Sequence, residues 1–388
     1  MIFLDFNTIG IICEYNPFHF GHKYHIEETK RLTGCKNIIC VMSGSVVQRG
    51  ECAIFDKWQR AMMAANAGAD LVIELPAYYV LQSADIFAYG GVKLLDDLKI
   101  VDGISFGCEC GNTDVIKKVA EAMTNPQCGY DDILKSEIKK GIGYPKASEN
   151  ALLSCLPDYA LEMSKPNNTL AVGYVKAINK LQSRIIPVGV KRNNDYHSDC
   201  TSDMYMSATE IRNRILNSKD YTNYSQDYSG ENIYSMKNAE SFIIGYLRSV
   251  SAEYLSGIKG SEDGLYNLVK NSVAKACTIE ELFEMCVNKR YTLHRIKRYI
   301  LSAILGIDYV ENISYARVLA IGKNGKELLK SIKQNSSLDI ITKVADYKSQ
   351  NKMFMTDIKA TDFSFLCSND ICKRQSGKDY VTSPYILK

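Results

Sequence analysis

The chain has 388 residues, of which 46% are hydrophobic and 23% charged, and its formal net charge is +3. This composition is typical of a globular protein with room for two domains, and it excludes a membrane-spanning helix, because no apolar run approaches the roughly 20 residues that one needs. No basic stretch precedes an apolar one at the N-terminus, so no secretory signal is predicted and we expect a cytoplasmic protein.

Apolar runs and helical stretches alternate in the first half of the chain. The apolar runs predict buried strands at Thr8–Cys13, Asn37–Met42, Asp70–Leu75, Gly103–Phe106 and Arg184–Val190. Helices are predicted between and after them at Gly21–Leu32, Lys57–Ala67, Ser83–Leu98, Asn167–Leu181 and Ser207–Leu216, with a helical insertion at 112–165. This order predicts an α/β fold with a doubly wound, Rossmann-like parallel sheet, which binds ligands outside the carboxyl ends of its strands.

The second half of the chain looks different. A polar stretch rich in Tyr, Ser and Asn at 217–235 predicts a domain junction, and helical patterns follow at 238–256, 263–275, 278–287 and 291–305. We therefore predict a catalytic domain at 1–216 and a mostly helical domain at 217–388.

Charge is unevenly placed between these two parts. Lys and Arg number 23 against 25 Asp and Glu in residues 1–215, but 24 against 19 in 216–388 and 14 against 6 within 285–360. A basic second half favours binding to a polyanion such as RNA, and the competing interpretation is a solvated lysine-rich surface.

The thirteen cysteines form no recognisable framework. There is no CxxC pair, and Cys108 and Cys110 are among the nearest approaches to one. Reduced cysteines that act as small core hydrophobes are favoured over a zinc site, so no protein-bound metal is predicted.

The His19-Phe20-Gly21-His22 sequence follows the first strand and opens a helix. A helix N-terminus offers unpaired N–H groups and the positive end of a dipole, which suits phosphate, and Gly21 lets a ligand approach the backbone. The imidazoles of His19 and His22 lie three residues apart, on one side of the first turn. They are the predicted catalytic residues, as donors to a leaving pyrophosphate.

An HxGH sequence after the first strand resembles the HIGH-type nucleotidyltransferase superfamily. Longer strings resemble one family in particular, the bacterial tRNA-Met cytidine acetate ligases. They are Gly10–His25 (GIICEYNPFHFGHKYH), Val41–Glu51 (VMSGSVVQRGE), Asp70–Pro76 (DLVIELP), Lys165–Ala171 (KPNNTLA), Met206–Arg212 (MSATEIR), Tyr291–Gly306 (YTLHRIKRYILSAILG) and Tyr315–Gly325 (YARVLAIGKNG).

The resemblance implies an enzyme that uses ATP to activate acetate as acetyl-adenylate and then acetylates N4 of the wobble cytidine of elongator tRNA-Met. Mg²⁺ is expected with the ATP. The implied ATP-binding residues are Ile12, Cys13, Glu14, Tyr15, Asn16, Pro17, Phe18, His19, Phe20, Gly21, His22, His25, Gly107, Asn168 and Arg192. Two of these have an alternative reading, Asn168 as a helix N-cap and Arg192 as a surface cation. Cys13 and Cys108 depart from the small residues that the family pattern leads us to expect there.

Two further segments are predicted to take part. Ser207 and Glu210 fit a capping box, which explains both of them but does not require Arg212. In nucleotidyltransferases, a Ser/Thr-rich helix start followed by Arg binds the triphosphate. Ser207, Thr209 and Arg212 are therefore predicted to bind ATP. Residues 43–51 are predicted to form a polar loop at the end of the second strand.

This polar loop is well placed to hold acetate. Gly44, Gln48 and Arg49 are its candidate residues. Lys57 and Arg60, on the helix that follows, fit solvated cations.

Two other functions remain open at this point. A small-molecule adenylyltransferase would need little more than the first half of the chain, which would leave the basic second half unexplained. A catalytically inactive tRNA-binding protein would tolerate the loss of His19 and His22, yet both are present. A class I aminoacyl-tRNA synthetase is less favoured, because no KMSKS-like sequence is found.

Overall fold

The computed structural model describes residues 6–159, 165–191, 206–228, 230–309 and 312–388. It contains the predicted α/β core. Its strands are β1 (Thr8–Cys13), β2 (Asn37–Ser43), β3 (Val46–Val47), β4 (Glu51–Cys52), β5 (Leu71–Leu75), β6 (Gly103–Cys108), β7 (Ile186–Lys191), β8 (Tyr315–Ile321), β9 (Asp339–Ile341) and β10 (Tyr385–Ile386). The α-helices are Phe20–Thr33, Lys57–Asn66, Ala77–Val80, Ala84–Asp97, Thr113–Thr124, Tyr130–Lys139, Tyr144–Cys155, Pro166–Leu181, Ala208–Leu216, Glu240–Ser249, Ala252–Ser256, Leu265–Val273, Ile279–Cys286, Leu293–Leu305, Gly325–Asn335, Lys352–Leu366 and Lys378–Val381.

Eight of these strands form one sheet, in the order β10-β8-β5-β2-β1-β6-β7, with β9 also beside β8. The five strands predicted from the sequence pair in parallel, for example Ile11 with Cys40 and Ile9 with Gly103. The predicted parallel sheet is confirmed for these strands, and the unpredicted strand β8 is added antiparallel to β5, with Leu71 opposite Ile321. The sheet is therefore mixed.

Helices cover both faces of the sheet. Alternate residues of β2 enter different cores: Ile39 and Val41 pack in one, Ile38 and Cys40 in the other. A strand buried on both faces explains the continuous apolar runs in the sequence, and the doubly wound α/β prediction is confirmed.

The chain beyond residue 216 is mostly helical, as predicted, but it also supplies β8, β9 and β10 to the sheet. These three strands were not predicted. The predicted insertion at 112–165 contains the helices Thr113–Thr124, Tyr130–Lys139 and Tyr144–Cys155.

Buried charges join the first half of the chain to β8 and its neighbours. Lys57 Nζ lies 2.9 Å from both carboxylate oxygens of Glu74 and 3.0 Å from Asp379. Arg317, on β8, lies 3.3 Å from Glu74 and also pairs with Asp379. All four side chains are almost fully buried. The expectation of a solvated Lys57 is wrong, since the network of these four residues encloses it.

A third buried carboxyl, that of Asp357, is expected to make stability depend on pH. Asp357 accepts hydrogen bonds from the Ala77 N–H at 2.8 Å and from the Tyr315 hydroxyl. Burial, and next the nearby Glu74 carboxylate, raise the pKa of Asp357 to about 7. A carboxyl whose pKa is raised on folding adds stability below its unfolded pKa of about 4, and this contribution is lost as the pH rises through 7.

Replacing Asp357 with Asn is therefore expected to flatten the pH dependence of stability. The wild-type free energy of unfolding should fall by roughly 1 kcal/mol or more between pH 5 and pH 8 for this reason, and the variant should lose most of that fall. Urea denaturation at several pH values measures it, with the exposed Asp131→Asn as control. Equal slopes in the wild type and in Asp357→Asn would contradict the assignment.

Candidate active site

The HxGH stretch lies where β1 leads into the helix Phe20–Thr33, at the carboxyl edge of the sheet. His19 is the N-cap residue, and its Nδ1 accepts the Gly21 N–H at 3.1 Å. In return, His22 Nδ1 accepts the His19 N–H at 3.3 Å. The two imidazoles thus form a capping box. In most capping boxes the N-cap residue is Ser or Thr, and the residue three positions later is Glu or Gln.

These hydrogen bonds determine the tautomer of both rings. An Nδ1 that accepts an N–H carries no proton, so the proton of each neutral imidazole is on Nε2. The rings of His19 and His22 stack with centroids 3.7 Å apart. Both rings therefore have Nε2–H as their donor, at a helix start that already favours an anion.

Other side chains of the predicted ATP-binding segment pack inward. The Tyr15 hydroxyl lies 3.5 Å from Cys40 Sγ, and its ring meets the Phe18 ring edge-on with centroids 4.9 Å apart. Asn16 Oδ1 accepts the Ile54 N–H at 2.8 Å. These side chains shape the loop, so it is mainly their backbone that can meet a nucleotide.

The ends of this segment are also tied to the sheet. Ile12 packs against one core, and Cys13 Sγ lies 3.7 Å from the Val41 carbonyl oxygen. Pro17 is buried. His25 Nε2 lies 3.0 Å from the Ser105 hydroxyl on β6, one turn beyond the histidine pair.

The polar stretch predicted to be a domain junction holds the HxGH loop from outside. The Phe20 N–H donates to the Tyr224 carbonyl at 3.1 Å. The Phe18 carbonyl accepts from the Ser225 hydroxyl at 2.7 Å and also from the Tyr228 hydroxyl. Only the clustering of hydroxyl donors in this stretch could have indicated this role in advance.

The helix Ala208–Leu216 begins as predicted at Ser207, whose hydroxyl accepts the Glu210 N–H at 3.2 Å. The Glu210 carboxylate pairs with Arg214 at 3.4 Å, one turn further along. Ser207 thus acts as an N-cap in this structure.

Arg212 connects this helix to the HxGH loop. It donates to the Asn16 carbonyl and, at 3.2 Å, to the Thr209 hydroxyl. Arg49 donates to the same hydroxyl at 3.3 Å. Burial lowers the pKa of Arg212, and a guanidinium stays charged in proteins. Two guanidinium groups therefore meet beside the loop that carries the histidines.

Residues 43–51 are not the polar loop that was predicted. They include β3, which pairs antiparallel with β4, and all but Gln48, Arg49 and Glu51 are buried. Gln48 donates its N–H to Glu14 Oε1 at 2.6 Å and its side-chain amide to the Gln82 carbonyl at 3.2 Å. Burial raises the pKa of Glu14, and the hydrogen bond from Gln48 opposes that rise. Gln48 and Arg49 thus lie beside the HxGH loop.

Gly44 is in a different environment from Gln48 and Arg49. A Cβ at Gly44 would lie 2.0 Å from Glu74 Oε1, so only glycine fits against that buried carboxylate. Gly44 has no side chain, so its predicted contact with acetate would be made by its backbone.

The expectation of a solvated Arg60 is wrong, and sequence reasoning missed its role. Its guanidinium is fully buried and donates to the carbonyl oxygens of Glu14, Ser43, Gly44 and Phe55, with distances of 3.1 Å to Ser43 and to Phe55. Burial lowers its pKa to about 10. Arg60 thus fixes the turns that follow β1 and β2 relative to each other.

A signal for this burial was present in the sequence. Lys57, Arg60, Ala61 and Ala64 have the spacing of one helix face, and the two alanines are core residues. Cations within an apolar stripe indicate buried partners.

Asn168 is fully buried, but it is not an N-cap, because the helix Pro166–Leu181 has Lys165 at that position. Its Oδ1 accepts the Glu109 N–H at 2.8 Å and the Cys110 N–H at 3.3 Å. Asn168 therefore orders the turn after β6.

The strand β6 was predicted to end at Phe106, but it extends to Cys108. Gly107 therefore lies within the strand, opposite Val190. It is next to the turn that Asn168 orders. Arg192 lies outside the described residues.

Among the described residues, no group of three or more His, Cys, Asp or Glu side chains could hold a metal ion. The cysteines in these parts of the chain are free thiols. No helix of the described ranges is long and apolar enough to cross a membrane.

Comparison with known proteins agrees with this geometry. The family model "HIGH Nucleotidyl Transferase" matches residues 6–379. The tRNA(Met) cytidine acetate ligase of Clostridium perfringens is 37% identical over 408 aligned residues, which cover 98% of this chain and 100% of that protein. The enzyme of the same name from a Thermoanaerobacter species is 40% identical over 377 residues, or 91% and 94% of the two chains.

A solved structure is similar over the same extent. Thermotoga maritima TmcAL bound with alpha-thio ATP superimposes with a TM-score of 0.90 at 27% sequence identity, covering 98% of this chain and 99% of that one. Likeness in sequence and in fold over nearly the whole chain, together with the histidine pair at the helix start, shows that the chain belongs to the HIGH nucleotidyltransferase family and, within it, to the tRNA(Met) cytidine acetate ligase family.

Proposed function

We propose that this protein is an ATP-dependent ligase that joins acetate to N4 of the wobble cytidine of elongator tRNA-Met, through acetyl-adenylate. The observation that carries the proposal is the pair of Nε2–H donors of His19 and His22 at a helix start, in a chain whose relatives bear the name of this activity. Residues 1–216 would supply the adenylating site and 217–388 most of the tRNA-binding surface.

In the first step, an acetate oxygen attacks the α-phosphorus of ATP in line, and the bond to the bridging oxygen of pyrophosphate breaks. Negative charge then grows on the leaving group. The Nε2–H groups of His19 and His22 and the fixed charge of Arg212 would stabilise it, because donors aimed at developing charge lower the barrier most. The protein contributes positioning and electrostatics, and no residue needs to act as a nucleophile.

Acetate would lie beside Gln48 and Arg49, where the Thr209 hydroxyl brings Arg49 next to Arg212. The short carboxylate would be held by charge-assisted hydrogen bonds. Gly107 and Asn168 would complete the nucleotide site on the other side of β1. Arg192 stays a predicted ATP-binding residue on the family resemblance alone.

In the second step, the cytidine N4 amine attacks the carbonyl carbon of the mixed anhydride. The C–O bond to AMP breaks, AMP leaves with the electron pair, and the amine loses a proton. An anticodon-loop base is exposed enough to enter such a site.

Mg²⁺ would accompany ATP. It ordinarily keeps several waters and binds substrate phosphates with only one or two carboxylates. No step above depends on where it lies.

The product test separates this proposal from the two alternatives. With ATP, acetate and elongator tRNA-Met, we expect N4-acetylcytidine, AMP and pyrophosphate in equal amounts, measured by mass analysis of the digested tRNA. A small-molecule adenylyltransferase would leave the tRNA unmodified, and an inactive binder would consume no ATP. Binding of tRNA without a gain of an acetyl group on cytidine would overturn the proposal.

A further inference from the structure

A basic segment lies beside the candidate active site. Lys289, Arg290, Arg295, Lys297 and Arg298 fall within ten residues, and no Asp or Glu occurs from 285 to 307. The segment leads into the helix Leu293–Leu305 and forms its first two turns.

Carboxylates from elsewhere compensate part of this charge. Lys297 pairs with Glu51. Arg290 and Arg295 lie 3.0 Å and 3.4 Å from the carboxylate of Asp263. These ion pairs are at least partly exposed, so each adds little stability.

Arg298 differs from these neighbours. Its side chain is partly buried and donates to the Gln48 carbonyl at 3.3 Å, but no carboxylate oxygen of the described residues lies within 4.0 Å of it. Burial and the nearby charge of Arg295 lower its pKa to about 10. A partly desolvated cation with no carboxylate at ion-pair distance is suited to receive an anion.

Arg298 is also held against the active-site hairpin. A Cβ at Gly50 would lie 2.4 Å from the Arg298 backbone nitrogen, so the hairpin turn packs directly on the helix. Gln48, which accepts from Arg298, donates to Glu14 in the loop after β1. The guanidinium is therefore only two residue contacts away from the predicted ATP-binding segment.

We propose that residues 289–298 form the RNA-backbone surface next to the acyl site, running from exposed Lys289 to Arg298, and that Arg298 binds the phosphodiester beside the acceptor cytidine. This inference rests on the proposed function. A small acid or ATP could contact only Arg298, at the end of this segment next to the active site. A polyanion could contact the basic residues along the whole segment 289–298.

The test is the affinity for elongator tRNA-Met, measured by fluorescence anisotropy at several salt concentrations. Arg298→Met should raise Kd roughly tenfold and reduce the slope of log Kd against log salt by about 1, since one phosphate contact is lost. Arg298→Lys keeps the charge and should recover most of the slope. Lys330→Gln removes a charge from the same half of the chain, on a helix at the opposite edge of the sheet, and should keep the wild-type slope.

Three results would overturn the inference. One is an unchanged Kd and salt slope in Arg298→Met. Another is a fall in acetate-dependent ATP–pyrophosphate exchange without tRNA, which would place Arg298 in the adenylation site. If Arg298→Met does not fold, exposed Lys289→Gln must reduce the slope by about 1, and an unchanged slope there is the third. Failure of the proposed function would look different, because the wild type would then bind tRNA without acetylating it.

Discussion

The double variant His19→Asn, His22→Gln is expected to slow acetate-dependent ATP–pyrophosphate exchange by at least about 10²–10³-fold while the fold is kept. Losing one donor that acts mainly in the transition state costs about that much. Both replacements keep an acceptor for the helix start, Asn at the N-cap and Gln three residues later, so the capping hydrogen bonds of His19 and His22 have substitutes.

The matched control separates catalysis from capping. Alanine at either histidine would also remove a cap, at a cost of about 0.5–2 kcal/mol. Thr278→Ala removes a cap from a helix that carries no predicted site residue, since the Thr278 hydroxyl accepts the Glu281 N–H at 3.1 Å, and should lower stability without slowing exchange. Wild-type exchange rates in the Asn/Gln variant would reject the catalytic role of the histidines.

Arg60→Met is expected to lower the free energy of unfolding by about 3–5 kcal/mol. Four buried carbonyl oxygens lose their donor, and local rearrangement can supply new hydrogen bonds to only some of them. Arg60→Lys should be intermediate, since an ammonium cannot reproduce the fork of five N–H donors. Arg31→Met is the control: Arg31 is an exposed cation paired with Glu28, and its loss should leave the free energy of unfolding close to the wild-type value.

Urea denaturation measures these differences, and the dependence of ΔG on urea should keep its slope. The KM for acetate in the exchange reaction should rise as well in Arg60→Lys, because the turns carrying Glu14 and Gly44 lose their common anchor. A destabilisation below about 1 kcal/mol in Arg60→Met would show that the carbonyl groups find other partners.

The central strands were predictable because each is an apolar run closed by turn residues. β1 and β2 were placed within one residue at each end, and the histidine pair was found from its position after β1. The sequence string Tyr315–Gly325 contains β8, but its pairing with β5 depends on contacts between distant parts of the chain, which local periodicity does not contain. β3 and β4 have two residues each, too few for an alternating pattern.

The site residues divide in the same way. Ser207 was predictable as an N-cap because capping is local. The turn held by Asn168 and the four carbonyl partners of Arg60 were not, because both depend on segments that only the fold brings together. The use of two imidazoles as a capping box was missed because that motif is ordinarily recognised by other residue types.

The pairing of β8 with β5 also affects events during synthesis. Roughly 240 residues separate the two strands, so at about 5–20 residues per second the ribosome makes β5 some 10–50 s before β8. Until then the edge of β5 has unpaired backbone groups, and Lys57 lacks Asp379. We expect a nascent chain that stops before β8 to expose this strand edge, so that an N-terminal fragment associates with other chains more readily than the full chain does.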